Sequence, residues 1–117
     1  MHYMGKYAKD APPQYQMDRS IIHIPSPWDE WYVGSKTVPP IDFLEREYGP
    51  NWRKAEKDRI WYNKRKAIIR LVHDLSEQNK LDKKEAMSVL DDYRIAMDKS
   101  INWMAQRTKE ILGHFKI

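Results

Sequence analysis

From Lys57 to Asn79 the chain repeats apolar side chains at helical spacing: Trp61, Ile68, Leu71, Val72 and Leu75 return on one side at about 3.6 residues per turn. A helix with one apolar side must bury it against other elements, so this run organises whatever fold forms around it. Shorter helical signals precede it. In "SPWDEWYVG", Ser26 reads as an N-cap, Pro27 as the first helical residue, Asp29 and Glu30 as acids near the positive end, and Gly34 as a stop. In "PPIDFLEREYGP", Pro40 opens a second short helix, Ile41, Leu44 and Tyr48 keep its spacing, and Gly49-Pro50 end it. "EQNKLDKKE" closes the long helix, and Asp82 with Glu85 resembles a capping box. From there Met87, Leu90, Met97, Ile101, Met104, Ile111 and Leu112 hold helical spacing almost to the end. That predicts a last helix of more than about 25 residues, with either a kink near Lys99 and Ser100 or an exposed apolar tail that pairs with a partner. Residues 1–14 read as an arm without regular structure, and "YQMDRSIIHI" suits a helical turn or an extended segment equally. Strand signals are weak throughout, so the fold class is all-α.

The 117 residues suffice for one domain, and 41% hydrophobic content with five Trp and seven Tyr supplies its core. There is no apolar run long enough to span a membrane and no signal-peptide centre. Cysteine is absent, which removes disulfides, thiol nucleophiles and the usual zinc sites and leaves the redox compartment open.

Charge is unevenly placed. Residues 51–70 hold eight Lys or Arg against two carboxylates, +6 in all, so the rest of the chain, whose net charge is +4, sums to −2. A basic segment on a mildly acidic body is the electrostatic footprint of a nucleic-acid binder, although a charge run also serves as a solvated face. Projecting the helix at about 100° per residue with Ile68 as the centre of the buried stripe puts Arg59, Tyr62, Asn63, Lys66 and Arg70 opposite, as one ridge. Lys64 and Arg65 flank the stripe and can snorkel to phosphates, while Arg53, Lys54 and Lys57 lie at the helix start, placed to clamp a sugar-phosphate backbone. Between Arg59 and Arg70 there is no carboxylate, unlike the mixed signs of "DKKEAMSVLDDYR". The chemistry suits base edges in a DNA groove: Arg to guanine, Asn to adenine, Lys and Tyr to base edges or phosphate oxygens.

Trp28, Trp31, Trp52 and Trp61 recur beside helical apolar positions and read as core and hinge packing. Histidines at 2, 23, 73 and 114 have no paired ligand spacing; His73 falls on the outward side of the long helix as a surface residue or a phosphate contact. With no metal-ligand pattern, no Gly-rich phosphate loop and no nucleophile constellation, the expectation is a non-enzymatic chain without cofactor or metal.

The stretch "YQMDRSIIHIPSPWDEWYVG…PPIDFLEREYGPNWRKAEKDRIWYNKRKAIIRLV" resembles the C-terminal DNA-binding domain of fungal transcription activators of glycolytic genes and of high-osmolarity-induced transcription. The likeness is an ordered set: Tyr15 and Arg19 lead into Trp28, Glu30 and Trp31, Gly34 follows, a helix bearing Leu44 ends at Gly49, and Trp52 and Arg53 precede the basic triplet Lys64, Arg65 and Lys66 with Ile68 or Ile69 after it. Asp29, Asp18 and Lys64 depart from that pattern and bear on base preference. The resemblance covers about residues 15–92 and implies sequence-specific binding to double-stranded DNA, by an activator-type regulator in the nucleus. The expected architecture is a compact, helix-turn-helix-like domain: two short N-terminal helices, a long basic recognition helix over 57–79 and a long C-terminal helix, with residues 93–117 as its continuation and a candidate interaction element. Related domains occur in centromere-binding proteins and mobile elements, a second setting for DNA binding. The competing reading is a helical interaction or oligomerisation module, in which Met97, Ile101 and Met104 dock a co-regulator or a second copy and the basic ridge only aids solubility.

Overall fold

The computed structural model describes residues 23–34, 39–53 and 56–116. Its spine is α3 (Glu56–Asn79), whose 24 residues extend about 36 Å at 1.5 Å per residue. Before it come α1 (Pro25–Tyr32), α2 (Ile41–Tyr48) and a 3-10 turn over Gly49–Arg53; after it come α4 (Lys83–Met97), α5 (Ile101–Ala105) and α6 (Thr108–Phe115). The described residues contain no strand, and the domain is all-α. Except for α2, every other element packs substantially on α3.

Local chemistry sets the ends. α1 begins at Pro25, earlier than Ser26 suggests, and Ile24 precedes it without a side-chain cap. Pro25 and Pro27 occupy first-turn positions whose N–H groups would have no partner inside the helix, and the Ser26 N–H bonds instead to the His23 carbonyl at 3.1 Å. Gly34 closes α1 with φ of 68°, its N–H donating to Asp29 O at 2.9 Å. Gly49 ends α2 at φ 57° and ψ −137°, a conformation closed to most side chains; a Cβ there would meet nothing within 4 Å, so backbone freedom is what it supplies. Asp82 caps α4 by accepting from the Glu85 N–H at 2.7 Å.

The long C-terminal run expected from periodicity is broken twice, first at residues 98–100, where the kink alternative placed a break, and again at Gln106 and Arg107. Asp98 adopts the left-handed conformation, φ 54°, and its N–H and that of Lys99 close the end of α4 on Ile95 and Arg94 carbonyls, both at 3.1 Å. Ser100 then caps α5, accepting from the Trp103 N–H at 3.0 Å, and a second bend at Gln106 and Arg107 starts α6. These bends fold the chain end back along α3, where Gln78 Nε2 donates to Leu112 O and Asn79 Nδ2 to Phe115 O, both at 2.9 Å.

Two apolar clusters result. The larger gathers Ile24, Ile68, Leu71, Val72 and Leu75 with Ala86, Leu90, Ile101, Met104 and Ile111. The smaller gathers Trp31, Ile41, Leu44, Tyr48, Trp52, Tyr62 and Ile69, and Trp28 packs against both. Each fully buried aliphatic side chain here contributes about 1.5–3 kcal/mol. Ile101 and Met104 are therefore core, not an exposed docking strip; Ile95 and Met97 are the exposed apolar residues at the end of α4.

Candidate nucleic-acid interface

Burial by two clusters widens the inward arc of α3. The larger cluster covers the side of Leu71 and Ile68, and the smaller adds the side of Ile69 and Tyr62, about 120° away from Ile68. What remains outward is Arg59, Asn63, Lys66 and Arg70, all exposed, at steps of four, three and four residues over about 16 Å of helix. Among the described residues none of these three cations forms an ion pair. Lys57 is exposed at the helix start, and Lys64 lies half-buried with its Nζ 4.8 Å from the Trp61 ring centre. One turn past Arg70 the exposed face turns acidic at Asp74 and Glu77.

Tyr62 and Arg65 do not lie where a stripe centred on Ile68 puts them. Tyr62 is 6% exposed, stacked on Trp31 at 5.4 Å and edge-on to Trp52 at 5.8 Å. Burial, with the nearby Glu45 carboxylate, raises its pKa above the usual 10.0. Arg65 is 1% exposed, and its Nε donates to Glu30 Oε1 at 3.2 Å. The reason is the same for both: α1 and the 3-10 turn cover the flank from which they would otherwise reach water. Arg53 also turns inward, donating from Nε and, at 3.2 Å, from Nη2 to Glu45, with its guanidinium 4.0 Å from the centre of the Tyr62 ring. The Trp52 indole N–H donates to the same carboxylate at 2.8 Å, and the Glu45 bond holds the Arg53 pKa above its ordinary value. Lys54 lies outside the described residues.

His73 is half-buried rather than outward. Its Nε2 lies 2.9 Å from Tyr32 Oη and its ring 5.2 Å from that of Trp28, so it joins α3 to α1. Burial and then Lys83 lower its pKa, against the opposing pull of Asp74 and Glu77.

One feature of the site was not legible in the helix projection. Beside the ridge, α3 and α6 enclose a cleft of about 460 Å³. Asn63, Lys66, Arg70 and Asp74 of α3 line it together with Thr108 and Lys109 of α6, and Ala67, Leu71 and Leu112 complete the lining. Lys109 reaches the ridge only because the chain breaks at Asp98 and Arg107, and nothing in the periodicity of the C-terminal segment signals that return.

Residues 15–94 match the family described as transcriptional activator of glycolytic enzymes. The chain belongs to that family. A curated relative, the transcription factor-like protein EUC1 of Saccharomyces cerevisiae, is 28% identical over 91 residues. The comparison covers 69% of this chain and 20% of that relative, so the chain spans about a fifth of its relative's length. No solved structure matches it. The family is one of transcription activators, which is not a class of enzymes. Among the described residues no helix is long and apolar enough to cross a membrane.

Proposed function

We propose that this transcriptional activator family member binds double-stranded DNA sequence-specifically in the nucleus, with the outer face of α3 in the major groove in a helix-turn-helix-like manner. The observation that carries the reading is the ridge Arg59, Asn63, Lys66 and Arg70: four exposed side chains of groove-reading type without a carboxylate among them, on a helix against which the other described elements except α2 pack. Arg59 and Asn63 read base edges, Lys66 and Arg70 reach base edges or flanking phosphates, and Lys57 and Lys64 contact the backbone. Tyr62, Arg65 and Arg53 have a different part: they lock α3 to α1 and the 3-10 turn and so set the angle at which the ridge is presented.

Selection from a randomised duplex library followed by titration of the enriched duplex against a scrambled one, at two salt concentrations, tests the reading. A short enriched motif with a large specificity ratio is the expected result. Salt-sensitive binding without enrichment would reduce the activity to non-specific association, and no binding would refute it.

A further inference from the structure

We propose that the cleft between α3 and α6 seats the phosphodiester backbone of one DNA strand, making Lys109 a DNA contact supplied from outside the family-matched residues. The inference rests on the reading of α3 as the groove-binding helix and adds a second element to its interface. A helix lodged in the major groove has a sugar-phosphate strand along each flank, so the surface next to its ridge meets phosphate rather than base edges. On the flank toward α6 that surface is concave, about 460 Å³ in volume, and continuous with the ridge through Asn63 at its edge and through Lys66 and Arg70. Lys109 faces Lys66 and Arg70 from the opposite wall, so cations from both helices converge on one space. None of the three is in an ion pair among the described residues, and Glu110, next along α6, is engaged with Arg107 at 3.9 Å. Ala67 and Leu112, both partly exposed in the cleft, offer apolar surface for the sugar rather than a polar partner for a base. Asp74 is the carboxylate of the cleft and marks the end at which the strand leaves.

The assignment divides labour along the ridge. Arg59 and Asn63 discriminate between sequences; Lys66, Arg70 and Lys109 hold any sequence. It also gives α6 a role in binding that α3 alone does not have, because a strand held from two walls cannot rotate about the recognition helix.

Titrating the full chain and its variants against the enriched duplex and a scrambled one, across a range of salt, tests the inference. Lys109→Ala is expected to weaken binding to both duplexes by a similar factor, about threefold to tenfold, and to flatten the salt slope by about 0.9 for the one lost phosphate contact. Asp74→Asn is expected to tighten both, and Lys84→Ala, on the exposed first turn of α4 outside the cleft, to change neither. Thermal melting of each variant checks the fold. If Lys109→Ala leaves affinity and salt slope unaltered while Asn63→Ala changes base preference, the cleft contact is overturned and the ridge reading stands. If Lys109→Ala alters preference for one duplex alone, Lys109 reads bases and the backbone assignment is overturned. If neither duplex binds, both readings fall together.

Discussion

Arg65 and Glu30, thirty-five residues apart, form an ion pair at 3.2 Å in which the guanidinium is 1% exposed. It joins the middle of α3 to α1 beneath the ridge, and a buried charge whose partner is removed is costly. Arg65→Met is expected to destabilise the domain by about 3–5 kcal/mol, and Arg65→Met with Glu30→Gln to recover part of that loss, because the carboxylate that faced the guanidinium is then neutral too. Urea denaturation of the two variants against the parent reads the difference.

Tyr62 belongs to the core of the smaller cluster. Tyr62→Ala is expected to cost about 3–5 kcal/mol, whereas Tyr62→Phe keeps the stack on Trp31 and costs only about 0.5–1.5 kcal/mol. The check on its place is selectivity: Tyr62→Phe should bind the enriched and scrambled duplexes in the parent's ratio.

The outward ridge behaves the opposite way. Asn63→Ala and Arg59→Ala are each expected to leave the melting temperature within the range of an exposed substitution while costing about 1–3 kcal/mol of discrimination at particular bases. Repeating the duplex selection with each variant shows which positions of the motif relax.

Acidification should weaken the fold through His73. Its folded-state pKa lies below the ordinary 6.5, so between those two values the unfolded chain binds more protons than the native one. Stability from this group is therefore full above about 6.5 and is lost as pH falls toward the lowered value. Denaturation midpoints at about pH 7.5 and about pH 5 are expected to differ more for the parent than for His73→Gln.

Truncation after Tyr93 removes Ile101, Met104 and Ile111, all buried in the larger cluster, although the family match itself ends at residue 94. The shortened chain is expected to lose cooperative thermal unfolding, which circular dichroism would show directly.

The register of α3, the span of α2, the Asp82 cap and the stop at Gly34 were all readable from spacing and capping chemistry, because each depends on residues a few positions apart. Tyr62 and Arg65 were misplaced because centring the stripe on Ile68 presumes that α3 packs against one surface, whereas it packs against two. That second surface comes from Trp31 and Trp52, residues whose arrival beside Tyr62 is a tertiary event. Similarly, the apolar spacing from Met87 to Leu112 survives in the burial of Leu90, Ile101, Met104 and Ile111, yet it spans three helices. Asp98 adopts a conformation that Asp tolerates better than most residues, but a lone Asp before a Lys-Ser pair predicts a bend, not a reversal along α3.

Since α3 carries the core on one side and the ridge on the other, its positions divide into those that hold the domain together and those that, on the proposed function, choose an address on DNA. On the reading proposed above, the second set between 59 and 70 is small: Arg59 and Asn63, with Lys66 and Arg70 beside them holding any sequence. Divergence toward a new target would thus proceed by a few surface replacements that cost the scaffold little, so that near-identical cores could come to serve different promoters.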